Sequence, residues 1–230
     1  MIQACSMDDQ VTFHAIHNLI RPFRDIVQVK WSQTGFVSGQ LHETPRNLIA
    51  FKDGTVNPRH TDEYKDYVFI DDGWAKNGTY CIIRRIQIHI ETWDRTALEE
   101  QEATFRRKRI NGQTLTGKKE LDEMDLDAND SSGEYVIPAD AHARLAHEAK
   151  TSIKRRAYNY TAGTNDKTGA LETGLLFISF QKATQQFIDI QNHLGHKDKL
   201  NEYITHRASA TFIVLPGVKK GGYLGETLFD

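Results

Sequence analysis

The sequence is poor in the residues that announce small frameworks, membrane spans or nucleic-acid partners. Only two of its 230 residues are cysteine, Cys5 and Cys81. So distant a pair forms no metal-ligand pattern and no disulfide scaffold, and the redox compartment stays open. Positive charge is not in excess. The 29 Lys and Arg face 31 Asp and Glu, a net charge of −2, which gives no footprint for nucleic acid. The basic clusters 84–85, 106–109 and 154–156 are local. No apolar run approaches transmembrane length. The first residues, Met1 to Cys5, carry neither the basic n-region nor the cleavage site of a signal peptide. What remains is 39% hydrophobic and 26% charged, ordinary for a globular chain long enough for one large domain or two small ones.

The periodicity reads as α+β. Residues 1–5 are an apolar strand candidate. Asp8 or Asp9 caps a helix to about Arg21, with Val11, Ala15, Ile16, Leu19 and Ile20 on one face. Residues 26–36 alternate as a strand (Val27, Val29 and Trp31 against Gln28, Lys30 and Ser32). The chain therefore reads as starting inside a domain, with residues 1–45 the remnant of an N-terminal unit and 46–230 a second domain. In 79–93, Ile86, Ile88 and Ile90 oppose Gln87, His89 and Glu91, the pattern of a half-buried antiparallel strand. A helix follows to about Arg107. Residues 110–137 are polar and aperiodic, and a loop of that length is usually functional or mobile. Residues 174–180 (GLLFISF) read as a buried strand, 183–194 as a helix stopped by Gly195, and 208–215 as a last strand. Two units of this kind suggest a ferredoxin-like pattern of antiparallel sheets with helices on one face.

Few residues invite chemistry. Residues 46–58 (RNLIAFKDGTVNP) bring Asp53 to a turn after an apolar run. That is a way to hold a carboxylate against a cofactor, and equally a turn whose Asp bonds its own backbone. His14/His17 and His193/His196 are each three apart, without a carboxylate at ligand spacing and without HEXXH, and read as surface or cap histidines. His142 ends the long loop; an imidazole presented there suits an axial haem ligand or a plain backbone contact. Arg155 and Arg156 precede Ala157-Tyr158. They read as a solvated charge run, or as cations that stabilise developing negative charge.

Taken together these segments resemble the dye-decolorizing (DyP-type) haem peroxidases, in the branch also described as deferrochelatase and linked to iron uptake. The markers run in order along essentially the whole chain: AFKDG at 50–54 followed by TVNP, DAHARLAH at 140–147, IKRRAYNY at 153–160, GLLFISF at 174–180 and ATFIVLPG at 210–217. The resemblance implies two ferredoxin-like units, the first incomplete at its N-terminus, and one haem b per chain. It implies Asp53 as the distal acid, Arg155 as the distal arginine, His142 as the axial ligand of the haem iron, and Leu175 and Phe177 as apolar walls. Arg144 and Arg156 match positions beside the motifs and become propionate contacts. Hydrogen peroxide and a reducing substrate are the implied partners, and a homo-oligomer is common in the family. Trp74, Trp93, Tyr158 and Tyr160 are candidate electron relays. Ala50 and Ala157 stand where the family usually has glycine. Two alternatives stay open: a haem-binding protein of iron acquisition, and a remnant without turnover. The branch is typically exported while no signal peptide is visible here, so the compartment is open too.

Overall fold

The computed structural model describes residues 1–39, 43–195 and 197–229. The chain forms two compact units, Met1–Thr34 and Gly35–Asp230. In the first, helix α1 (Asp9–Ile20) starts where the sequence places it. The Asp8 carboxylate accepts the Gln10 and Val11 N–H groups at 2.7 and 3.2 Å, an N-cap in the expected register. The strands expected at 1–5 and 26–36 do not form: neither segment joins a ladder, and only Phe36, in the second unit, makes an isolated bridge, to Asn159. Alternation makes a strand only where a partner strand takes up its backbone groups.

The second unit is α+β. Helix α2 (Thr61–Tyr67) is followed by β1 (Thr79–Ile88), the short α3 (Ile90–Trp93) and α4 (Leu98–Phe105). After the long loop come α5 (His142–Glu148), β2 (Lys154–Arg155), β3 (Tyr158–Thr164), β4 (Leu171–Gln181), α6 (Thr184–Leu194) and β5 (Ile204–Val214). The sheet is antiparallel throughout, in the order β2-β4-β1-β5, with β3 also on β4. β2 and β3 continue one register, Lys154 opposite Phe180 and Tyr158 opposite Leu176, so they act as a single strand interrupted at 156–157. With that pair read as one, β4 lies between β1 and the strand that follows it, the split βαβ arrangement of ferredoxin-like folds.

β1 was expected to keep one wet face. It is instead the central strand, and Gln87 is buried with its neighbours Ile86 and Ile88. The burial is tolerated because the Gln87 side-chain carbonyl accepts from Arg207 Nε at 2.6 Å.

Register decides which side chains share a face. Arg155 stands opposite Ser179, Asn159 opposite Leu175, and on the other side of β4 Arg84 stands opposite Phe177 and Ile86 opposite Leu175. Arg155, Leu175 and Phe177 therefore lie on one face, and α6 covers part of it, Phe187 meeting Phe177 at 6.0 Å between ring centroids. Cys81, Ile83 and Ile178 form a core cluster on the other. Gly174 admits no side chain: a Cβ there would lie 2.9 Å from the Tyr160 ring and collide with the Ile86 carbonyl. A second cluster joins Ile49, Phe51, Ile88, Trp93 and Tyr203, with Phe105 and Leu175 packed against it.

Candidate functional site

The stretch around Asp53 is a tight hairpin rather than the end of a strand. Asp53 N–H donates to the Pro45 carbonyl at 2.9 Å, and Asn47 N–H to the Phe51 carbonyl at 2.9 Å. Arg46 donates to the carbonyls of Ala50, Arg109 and Ile110 at 2.6 to 2.8 Å, tying the tip to the loop after α4. Ala50 holds φ 67°, a left-handed conformation that suits glycine better than alanine. Phe51, 1% exposed, anchors the hairpin by stacking on Phe105 at 4.6 Å. Lys52 is fixed by Glu120 at 2.6 Å. Burial works to raise the Glu120 carboxyl, but the Lys52 ammonium, the Thr44 hydroxyl and the Arg107 guanidinium outweigh it and hold Glu120 below the ordinary carboxylate range.

This framework delivers Asp53 to Arg155. Their Oδ1 and Nη1 atoms are 3.1 Å apart, with side chains 20% and 27% exposed. The pair lines a cleft of about 340 Å³, together with Asn57, Arg156, Asn159 and Leu175 among others. Asn159 is 5% exposed, and among the described residues its buried Oδ1 has no hydrogen-bond partner.

His142 does not sit on a loop. It is the first residue of α5, which packs on α6 and α4. Its Nδ1 is 2.7 Å from Asp198 Oδ2. Asp198 has a side chain 3% exposed and also accepts Leu200 N–H at 2.9 Å. A carboxylate only accepts, so Nδ1 carries a proton, and in the neutral ring this tautomer leaves the lone pair on Nε2. The Phe105 ring lies 6.5 Å from the imidazole, so the cluster that holds Leu175 and Phe51 also touches His142. Among the described residues no group of three or more His, Cys, Asp or Glu could hold a bare metal ion.

The remaining expected residues divide. Leu175 lines the cleft, while Phe177 shares its face but packs under α6. Arg156 is exposed at the cleft, its guanidinium over Tyr158 at 5.6 Å. Arg144 is not brought to the cleft. It is buried, donating to the Ile137 and Leu126 carbonyls with its guanidinium 4.7 Å from the Tyr135 ring, so its donors brace the 126–137 loop. Of the aromatic candidates, Trp74 is half exposed and Tyr160 is buried under Arg85. Trp93 meets Phe105 edge-on at 5.7 Å, which links it by ring contacts to His142. His17 pairs with Arg24 at 2.8 Å and His193 with the Asp189 carbonyl at 2.9 Å; His196 lies outside the described residues. Asp198, Asn57 and Asn159 escaped the sequence reading. Only Asp198 carried a local signal, an N-cap residue in front of the turn Lys199–Glu202.

The Dyp-type peroxidase C-terminal profile matches residues 44–219, and the N-terminal profile of the same family matches 1–37. The chain belongs to the Dyp-type peroxidase family. A deferrochelatase of Yersinia pseudotuberculosis is 34% identical over 100% of the chain and 56% of its own length. A deferrochelatase of Escherichia coli (strain UTI89 / UPEC) is 34% identical over 99% of the chain and 57% of its own. Among solved structures, the DyP-type peroxidase of Streptomyces coelicolor matches with a TM-score of 0.91 at 32% identity, covering 97% of the chain and 64% of that protein. The DyP-type peroxidase of Cellulomonas bogoriensis gives 0.90 at 33%, covering 98% and 65%. The chain thus spans a little over half the length of these curated Dyp-type relatives.

Proposed function

We propose that the chain binds one haem b and uses hydrogen peroxide to oxidise a reducing substrate. The observation that carries this reading is the Asp53–Arg155 ion pair, 3.1 Å apart in a cleft that Leu175 also lines. The residues fit haem: one imidazole with Nδ1 held by a buried carboxylate, and a cationic Arg156 at the cleft. Bound haem supplies the iron that takes up peroxide and holds its oxidising equivalents.

The residues then have separate tasks. Asp198 accepts from His142 Nδ1–H, which would leave the Nε2 lone pair free to hold the haem iron. Asp53, 3.1 Å from Arg155, would take a proton from bound hydrogen peroxide and return it to the departing oxygen. Arg155 is a fixed cation and balances the negative charge that grows on the departing oxygen. Leu175, which lines the cleft, excludes water and strengthens both effects, while Phe177 backs that face from under α6. A bulky reductant would react at the surface, and Trp93, buried against Phe105, is placed as an inner relay towards His142 rather than as the surface site.

The name of the curated relatives supports a second reading, release of iron from haem in the same pocket. The test is the haem-loaded chain with hydrogen peroxide and a phenol or dye. Arg155→Leu is expected to slow oxidation by about 10²- to 10³-fold, the usual loss for a donor at a developing anion. Oxidation at the parent rate would remove Arg155 from the mechanism. An unchanged Soret band in His142→Ala would remove the ligand assignment. Metal-free porphyrin fluorescence after incubation with haem would favour iron release.

A further inference from the structure

We propose that Asn57 is a positioning residue that sets Arg155 against Asp53; the inference rests on the peroxide chemistry assigned above to that pair. It starts from the edge of the sheet. β2 has β4 on one side only. In an antiparallel ladder alternate residues turn both N–H and C=O to the partner, and those between turn both away. Arg156 N–H donates to the Ile178 carbonyl on β4 at 2.8 Å, so the Arg155 N–H and C=O face outward, where an edge strand has no partner.

Asn57 closes that edge. Its Oδ1 accepts Arg155 N–H at 2.8 Å, and its Nδ2 donates to the Arg155 carbonyl at 3.0 Å. One primary amide thus serves as a one-residue strand neighbour. Asn57 lies four residues after Asp53, so one segment grips Arg155 twice, by its backbone through the amide and by its guanidinium through the carboxylate. Gly54, between them at φ +90°, is part of the same device: a Cβ there would stand 3.0 Å from Asn57 Nδ2. Without the amide, a two-residue strand is held from one side and the guanidinium is no longer aimed. No reacting group is lost, so the effect falls on geometry.

The test measures cyanide association with the haem-loaded chain across pH, because hydrogen cyanide must give up a proton and leave an anion where Asp53 and Arg155 act. Haem stoichiometry, Soret position and thermal midpoint are followed alongside. Asn57→Ala is expected to keep the Soret band and stoichiometry, slow association about 10- to 100-fold, and flatten its pH profile. Asn57→Asp, which keeps the acceptor for Arg155 N–H, is expected to fall between Ala and the parent, and it carries the test if Asn57→Ala takes up no haem. In an Arg155→Leu background the effect of either substitution is expected to vanish. Association at the parent rate in both Asn57 variants, while Arg155→Leu is slow, overturns the role of Asn57 alone. The same slowing by Asn57 substitution with and without Arg155 also overturns it. Arg155→Leu at the parent rate in both cyanide association and peroxide turnover overturns the peroxide reading, and the role of Asn57 with it.

Discussion

Asp198→Asn separates a structural role from an electronic one at the His142 end of the site. The wild-type carboxylate has two tasks, accepting His142 Nδ1–H at 2.7 Å and Leu200 N–H at 2.9 Å. Asparagine keeps the shape but has one oxygen and one NH2. With the oxygen still capping Leu200, the NH2 faces Nδ1, and Nδ1 must become an acceptor. The ring proton then moves to Nε2, the atom needed for iron. The cap is kept, so stability should change by less than about 1 kcal/mol, while haem affinity should fall about 10- to 100-fold, as for other partners of metal-bound histidines. Asp198→Ala loses both bonds. A lost cap of about 1 kcal/mol and a lost hydrogen bond to a charged group of about 1.5–3 kcal/mol give a destabilisation of about 2.5–4 kcal/mol. Urea unfolding of the haem-free chain and a haem titration followed at the Soret band read the two effects separately. Haem affinity equal to the parent's in Asp198→Asn, at unchanged stability, would refute the tautomer argument.

Two further outcomes follow from burial and charge. Glu120 is held below its ordinary 4.5, so its contribution is fully present above that value and lost as the pH falls through its folded-state pKa; the urea midpoint of the parent should therefore drop between pH 5 and pH 3 by more than that of Glu120→Gln. Burial pushes the Cys81 thiol up to about 11, whereas Cys5 is exposed, so a maleimide at pH 7.5 should label the native chain at Cys5 and reach Cys81 only after denaturation, as peptide mass mapping would show.

Local signals were readable where they were complete within a few residues. Asp8 capped α1, Gly195 stopped α6, and the apolar run at 174–180 became β4. Residues 26–36 had the alternation of a strand, but alternation says nothing of whether a partner exists. Gln87 looked solvent-facing because its partner, Arg207, lies 120 positions away. The site divides in the same way. Asp53, Arg155, His142 and Leu175 stood out through ordered motifs, and the register of one sheet and one hairpin explains how Asp53 and Arg155 meet. Asp198 reaches His142 across 56 positions, and Asn57 reaches Arg155 across 98. Such reciprocal hydrogen bonds exist only once the sheet is assembled.

The bare position at Gly174 has a consequence for how the cleft is encoded. Arg155 is followed by a second arginine and Leu175 by a second leucine, so at both places a slip of one residue would exchange like for like. These doublets are chemically blind to the frame in which the strands are read. A slip would nonetheless turn every side chain of a strand to the opposite face. Gly174 breaks the ambiguity: only a residue without a side chain fits between the Ile86 carbonyl and the Tyr160 ring. A residue that contributes no atom to the encounter thus helps to keep Arg155, rather than its neighbour, in the register that meets Asp53.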